Sequence, residues 1–153
     1  MNLLTRILYY VLQWTFGILQ NLAGFAIFLA LRMRKGAPKP FLFHGAAVSE
    51  WRRNSSMGMG MFIFLGEKEE PQRRRVLVHE FGHTVQSVIL GPLYLPVIGL
   101  PSLIWANASA MKKRRLKKRI GYTDFYPERW ASRAGERVTK EKAYWDHGRE
   151  DRI

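Results

Sequence analysis

Two long apolar stretches punctuate the chain, and the elements between them differ in period. From Ile7 to Leu31, 25 residues carry no formal charge, enough at about 1.5 Å per residue to cross a hydrocarbon core of about 30 Å with some tilt. The pattern predicts one transmembrane helix. A signal peptide fits less well: only Arg6 precedes the stretch, and no small-x-small cleavage site comes before the basic residues that follow it. Within the stretch Gln13, Gly17, Gln20, Asn21 and Gly24 recur at helical spacing on one face. Such a face suits packing against protein, either the rest of this chain or a second copy in a homo-oligomer. The second stretch, 91–106, carries Pro92, Pro96 and Pro101, which argue against a straight helix. A re-entrant or interfacial segment over 91–110 is expected instead, with its irregular backbone covered by the polar face of the first helix.

Pro38 and Pro40 mark a linker, after which Phe41–Val48 and Met57–Leu65 predict two extended segments and a small β element. Met57-Gly58-Met59-Gly60-Met61 alternates large and absent side chains, which fits either a close backbone neighbour or a weak edge strand under a methionine stripe. Beyond the charged loop ending at Pro71, the apolar spacing predicts a helix over about Gln72–Leu90. A last helix begins near Thr123 or Asp124, with Pro127 suited to its first turn. The expected fold class is α+β, with a transmembrane anchor over 1–35 and one body over 36–153.

Charge orients this plan. The chain of 153 residues has a formal net charge of +13 and no cysteine, so disulfides and thiolate metal sites are excluded. Arg32, Arg34, Lys35 and Lys39 follow the first apolar stretch while only Arg6 and the terminal amine precede it, which by the positive-inside rule places the N-terminus outside and the body in the cytoplasm. The run Lys112–Arg119 directly follows apolar residues and fits an anchor on anionic lipid headgroups better than a nucleic-acid site. Arg73, Arg74 and Arg75 sit where a helix dipole does not favour them and are expected to be solvated or at headgroups.

The candidate chemistry lies in the 72–90 helix. His79 and His83, four apart with Glu80 between, form an HExxH pattern; on a helix both imidazoles share one face and can grip one zinc ion, while Glu80 lies about 100° round and reaches water on the metal. The bland alternative is a pair of partly buried core histidines. Gly82, costly by about 1 kcal/mol relative to Ala inside a helix, points to close backbone approach by a neighbour. A catalytic zinc site needs a third protein ligand. The downstream carboxylates are Asp124, Glu128, Glu136, Glu141, Asp146, Glu150 and Asp151, and Glu128 would project from the first turn of the last helix, where it also complements the helix dipole.

His79-Glu80-x-x-His83 followed by Glu128-Arg129-Trp130-Ala131-Ser132 resembles the gluzincin arrangement, HExxH on one helix and ExxA with a small polar residue on the next. The likeness extends over roughly the C-terminal half and is shared with a group of small bacterial proteins. It implies a membrane-associated zinc metalloprotease in which His79, His83 and Glu128 hold Zn2+ and Glu80 is the general base, acting on a peptide or membrane-protein substrate. The usual oxyanion donor has no motif counterpart, leaving Tyr122, Tyr126 and His147 as candidates. The rival expectation is a non-catalytic adaptor or subunit with a structural metal and a lipid-binding basic face.

Overall fold

A computed structural model describes residues 3–146. Its helices, α1 (Leu3–Thr15), α2 (Ile18–Arg32), α3 (Gln72–Leu90), α4 (Leu100–Asn107), α5 (Ser109–Lys118) and α6 (Tyr126–Thr139), surround a sheet of β1 (Phe41–Phe43), β2 (Ala46–Glu50), β3 (Met57–Met59) and β4 (Phe62–Leu65). The expected α+β class and the bounds of the HExxH helix are present. Each extended segment predicted from sequence folds back on itself as a hairpin. His44 (φ 48°) and Gly45 (φ 96°) make the two-residue turn between β1 and β2, and Gly60 (φ 60°) opens the turn between β3 and β4, as the primed turns of tight hairpins require. The strand order is β1-β2-β4-β3, with β2 and β4 parallel and both outer pairs antiparallel.

Strand β4 is buried on both faces, and its period of two assigns each residue to a layer. Ile63 and Leu65 join Phe43, Val48, Leu77, Val78 and Phe81 between the sheet and α3. Phe62 and Phe64 face the other way, onto Leu31, Ile27 and Phe28 of α2. The sheet is therefore sandwiched between α2 and α3, and the N-terminal segment is part of the packed body.

That segment departs from the single straight helix predicted for Ile7–Leu31. It forms two helices bent by 92° at the break between them, and no single described helix is long and apolar enough to cross a membrane. The physical reason lies in the polar face. Gln13 Nε2 donates to the Thr84 carbonyl (3.1 Å), and Gln20 Nε2 to the Ser87 hydroxyl (3.0 Å) and the Gly91 carbonyl (2.9 Å). At the break the Gly17 amide bonds back to the Leu12 carbonyl (2.9 Å), and the Gln13 carbonyl accepts from Asn21 Nδ2 instead (2.7 Å). The bend lets both halves reach α3 and the start of the Pro-rich segment with each of these amide nitrogens bonded, while Gln20 Oε1 is buried without a hydrogen-bond partner among the described residues. Gln20 Nε2 thus holds the first carbonyl of that segment, whose backbone, expected to be irregular, is helical: a 3-10 turn over Gly91–Leu93, a π-helical turn over Leu95–Gly99 and then α4.

The arginines at the start of α3 are exposed, or half-exposed in the case of Arg73, as solvated groups are expected to be, and two of them are also paired. Arg73 pairs with Glu50 and Glu70, and Arg74 makes a two-pronged bond to Glu141 (2.6 and 2.8 Å), so these two guanidiniums fasten loops to the helix.

Candidate metal centre

The site arises where α3 and α6 cross. A Cβ on Gly82 would overlap the Ala131 carbonyl, and one on Gly135 would overlap the Val78 carbonyl. Backbone therefore lies on backbone, which is the close approach the glycine inside α3 implied. At this separation the first turn of α6 delivers Glu128 onto the face of α3 that carries His79 and His83. Glu128 Oε2 lies 3.1 Å from His79 Nε2 and 3.5 Å from His83 Nε2, and the three ligand atoms all fall within 4.8 Å of one another. All three side chains are buried, and the group can hold a metal ion.

The other acidic candidates are engaged elsewhere. Asp124 accepts from the Gly121 amide, Asp146 from the Tyr122 amide, Glu136 from the Ala143 amide and Trp145 indole, and Glu141 from Arg74. Glu150, Asp151 and His147 lie outside the described residues.

The hydrogen bonds behind the histidines fix which nitrogen faces the metal. The Ser132 hydroxyl donates to the Tyr144 carbonyl (2.9 Å) and so accepts from His79 Nδ1–H (2.8 Å). Gln86 Nε2 donates to the Pro127 carbonyl (2.8 Å), which turns its Oε1 toward His83 Nδ1–H (2.7 Å). Each imidazole carries its proton on Nδ1 in the metal-ready state and presents a bare Nε2 lone pair inward, as ligating histidines require. The donor set, two imidazoles and a carboxylate, fits a borderline cation such as zinc. The roles of Gln86 and Ser132 were not predicted, although Gln86, three residues beyond His83 on the same helix, was open to detection by spacing.

Electrostatics follow from burial. Desolvation pushes the Glu80 carboxyl up from its ordinary value, against the pull of both histidines and a hydrogen bond from the Gly58 amide. Burial alone would lower His83, but the Glu128 carboxylate outweighs it and lifts the imidazole to about 9. Glu128 is conversely held well below the usual carboxylate range: burial acts to raise it, and the two histidines prevail. In the metal-free protein, His83 therefore adds stability that is complete below its unfolded value of about 6.5 and lost as pH rises through about 9. Metal uptake must displace this proton. Roughly one proton per ion should be released at pH 7, and affinity should rise about tenfold per pH unit up to about 9. Titration calorimetry in buffers of different ionisation enthalpy checks this; uptake without proton release would contradict the assigned protonation.

The structure separates the three candidate oxyanion donors. Tyr126 is exposed and ties its hydroxyl to the Val97 carbonyl (2.5 Å), away from the ligands. Tyr122 is half-buried with its hydroxyl beside Ser102 and Glu128, and desolvation raises it well above the ordinary tyrosine value. His147 is not among the described residues. A tyrosine that sequence reasoning missed, Tyr94, covers the site: it is fully buried in the field of Glu80 and Glu128 and donates to the Gly58 carbonyl (3.2 Å). Ser102 donates to Glu128 Oε1. Tyr94, Ile98 and Ser102 all come from the Pro-rich segment, which closes over the metal ligands. Glu80 retains 7 % exposure and Glu128 none.

No protein-family model, curated protein or solved structure matches this chain.

Proposed function

We propose that this chain is a membrane-associated zinc-dependent peptidase of gluzincin-like design. The observation that carries the reading is the convergence of His79, His83 and Glu128 on one point with Glu80 beside them and outside the ligand set. A zinc ion there supplies Lewis acidity, which lowers the pKa of a water and polarises a peptide carbonyl. Glu80 accepts the proton of the attacking water and passes it to the leaving amine. Its carboxyl, raised by burial, is closer in basicity to neutral pH than an ordinary glutamate, which suits a group that must take and return one proton. Gly58 holds that carboxylate through its amide.

An extended peptide has an obvious berth along the outer edge of β3. A substrate strand added there would exchange for the bonds that Gly58 already makes, its amide to Glu80 and its carbonyl to the Tyr94 hydroxyl, and in doing so would lie against the general base. Of the expected donors to a developing oxyanion, Tyr122 is favoured by its place beside Glu128, and Tyr94 joins it.

The burial of every ligand favours a second reading, in which the ion is structural and the protein non-catalytic. Glu80 discriminates. A structural site needs His79, His83 and Glu128, whereas a buried carboxyl held off the ligands is needed only for proton transfer. Glu80→Gln should retain one metal ion per chain and lose about 10²–10⁴-fold in hydrolysis of a casein or peptide-library substrate. Undiminished activity in that variant would refute the peptidase mechanism, and metal-loaded wild type without activity would favour the structural reading.

A further inference from the structure

The charge of this protein is divided unevenly. Residues 1–49 and 81–123 carry twelve of its 25 Lys and Arg and none of its 12 Asp and Glu; the remainder of the chain is close to neutral. These two carboxylate-free stretches are also the two apolar ones. Their side chains sort cleanly by face in the fold. On α1 and α2 the buried positions are Tyr9, Gln13, Gly17, Gln20, Asn21, Gly24 and Leu31, while Leu8, Val11, Leu19 and Leu22 are about half exposed, between 51 and 54 %. In the Pro-rich segment Tyr94, Ile98 and Trp105 point into the body, while Leu93 (60 %), Leu100 (56 %) and Leu103 (57 %) point out. The two apolar surfaces adjoin. Phe16, at the bend, lies against Gly91, and Gln20 holds the Gly91 carbonyl.

We infer that this joint surface seats on one leaflet of an anionic bilayer, with α1 and α2 lying in the interface rather than crossing it and both ends of the helix pair on the same side as the body. The inference rests on the membrane association proposed above and changes its topology. Neither helix is long enough alone: 13 and 15 residues reach about 20 and 22 Å at 1.5 Å per residue, short of a hydrocarbon core of about 30 Å. From Tyr9 to Leu31 nearly every turn commits a residue to the body, and the buried amides of Gln13 and Gln20 bond to backbone carbonyls at the C-terminal end of α3 and the residue that follows it. A crossing helix would have to release those amides into hydrocarbon or draw α3 in with them. An in-plane pair keeps them bonded and gives its outer apolar faces to acyl chains. The basic residues at the end of α2 and along α5, where Lys112, Lys113, Lys117 and Lys118 are exposed, then meet the headgroups. Anionic lipid is the complementary partner because no carboxylate interrupts either stretch. The same seating places the cover of the metal centre, residues 91–107, directly on the leaflet.

The absence of cysteine makes the full-length wild type a clean background for site-directed labelling. Single variants Asn2→Cys and Lys118→Cys are expressed in bacterial cells and exposed to a membrane-impermeant maleimide in spheroplasts and in inverted membrane vesicles. The two cysteines should label alike, both protected in spheroplasts and both reactive in inverted vesicles. Opposite labelling would mean that the pair crosses the bilayer, and would overturn the in-plane topology while leaving membrane association intact. Purified wild type should sediment with vesicles containing phosphatidylglycerol at least tenfold more strongly than with phosphatidylcholine alone, less so in high salt. No sedimentation with either would overturn membrane association itself. Leu22→Glu combined with Leu103→Glu should leave circular dichroism and metal content unchanged and abolish vesicle binding; retained binding by that folded variant would show that a different surface docks.

Discussion

Protein carrying Glu128→Ala should lose its metal ion during purification, while the wild type keeps one per chain. Removing a partner behind a ligand typically weakens a metal site by about 10–100-fold, so removing an anionic ligand itself should cost more than about 100-fold in affinity. Ser132→Ala and Gln86→Ala provide the internal scale, since each frees one imidazole from the bond that sets its tautomer and leaves all three ligands in place. The expected order of affinity is wild type, then these two, then Glu128→Ala, measured by competition with a chromophoric chelator. Glu128 is fully buried, so circular dichroism of the variant must accompany the measurement. A folded Glu128→Ala protein that binds metal like the wild type would remove Glu128 from the ligand set.

A second large effect is expected at the helix crossing. Gly82→Ala and Gly135→Ala each put a methyl group into a backbone carbonyl of the opposing helix, and a carbonyl cannot turn aside as a flexible side chain can. Alanine gains up to about 1 kcal/mol of helix propensity over glycine, whereas overpacking costs about 1–3 kcal/mol and more against rigid neighbours, so the clash decides the sign. Each variant should be destabilised by roughly 2 kcal/mol or more, lowering the melting temperature by about 4–8 °C at this chain length. Gly99→Ala is the control, because its Cβ would meet side-chain and backbone atoms at 3.5–3.8 Å, ordinary contact distances. Metal affinity should fall along with stability at the crossing, since Glu128 rides on α6 and separates from the histidines as the helices part. Gly82→Ala melting with the wild type would mean the helices have room to spare.

The ligand triad was legible in the sequence because each part of it is local: two histidines on one helical face, and a glutamate in the first turn of α6, although that helix starts at Tyr126 behind Phe125 with no side-chain cap, and the expected caps Thr123 and Asp124 lie in a separate 3-10 turn before it. Gly82 announced the crossing for the same reason, an unfavourable residue kept where only close packing explains it. The polar face of the N-terminal stretch was also readable, down to its five positions, yet the stretch was expected as one straight helix. Period and hydropathy cannot register a bend whose cause is long-range, namely the reach of Gln13 and Gln20 to carbonyls some seventy residues on. Tyr94 and Ser102 escaped notice in the same way. Within the Pro-rich segment they look like minor polar interruptions, and only the tertiary fold turns them onto Glu80 and Glu128. The hairpins fell between these cases. His44-Gly45 is a two-residue turn signal that a long apolar run obscured.

The bond from Ser132 to the Tyr144 carbonyl ties His79 to a strand of chain that carries no ligand. That strand is itself fastened: the Tyr144 amide donates to the Arg75 carbonyl (2.9 Å), and Ala143 is packed into the core. The final address of the first histidine is thus written 65 residues after it, at Tyr144. During synthesis, both histidines and Glu128 leave the ribosome before the acceptor that sets the His79 tautomer does. A nick between Lys140 and Tyr144 would cut the covalent tie between that acceptor and α6, and should weaken metal binding by no more than the about 10–100-fold expected of Ser132→Ala, with every ligand still in place.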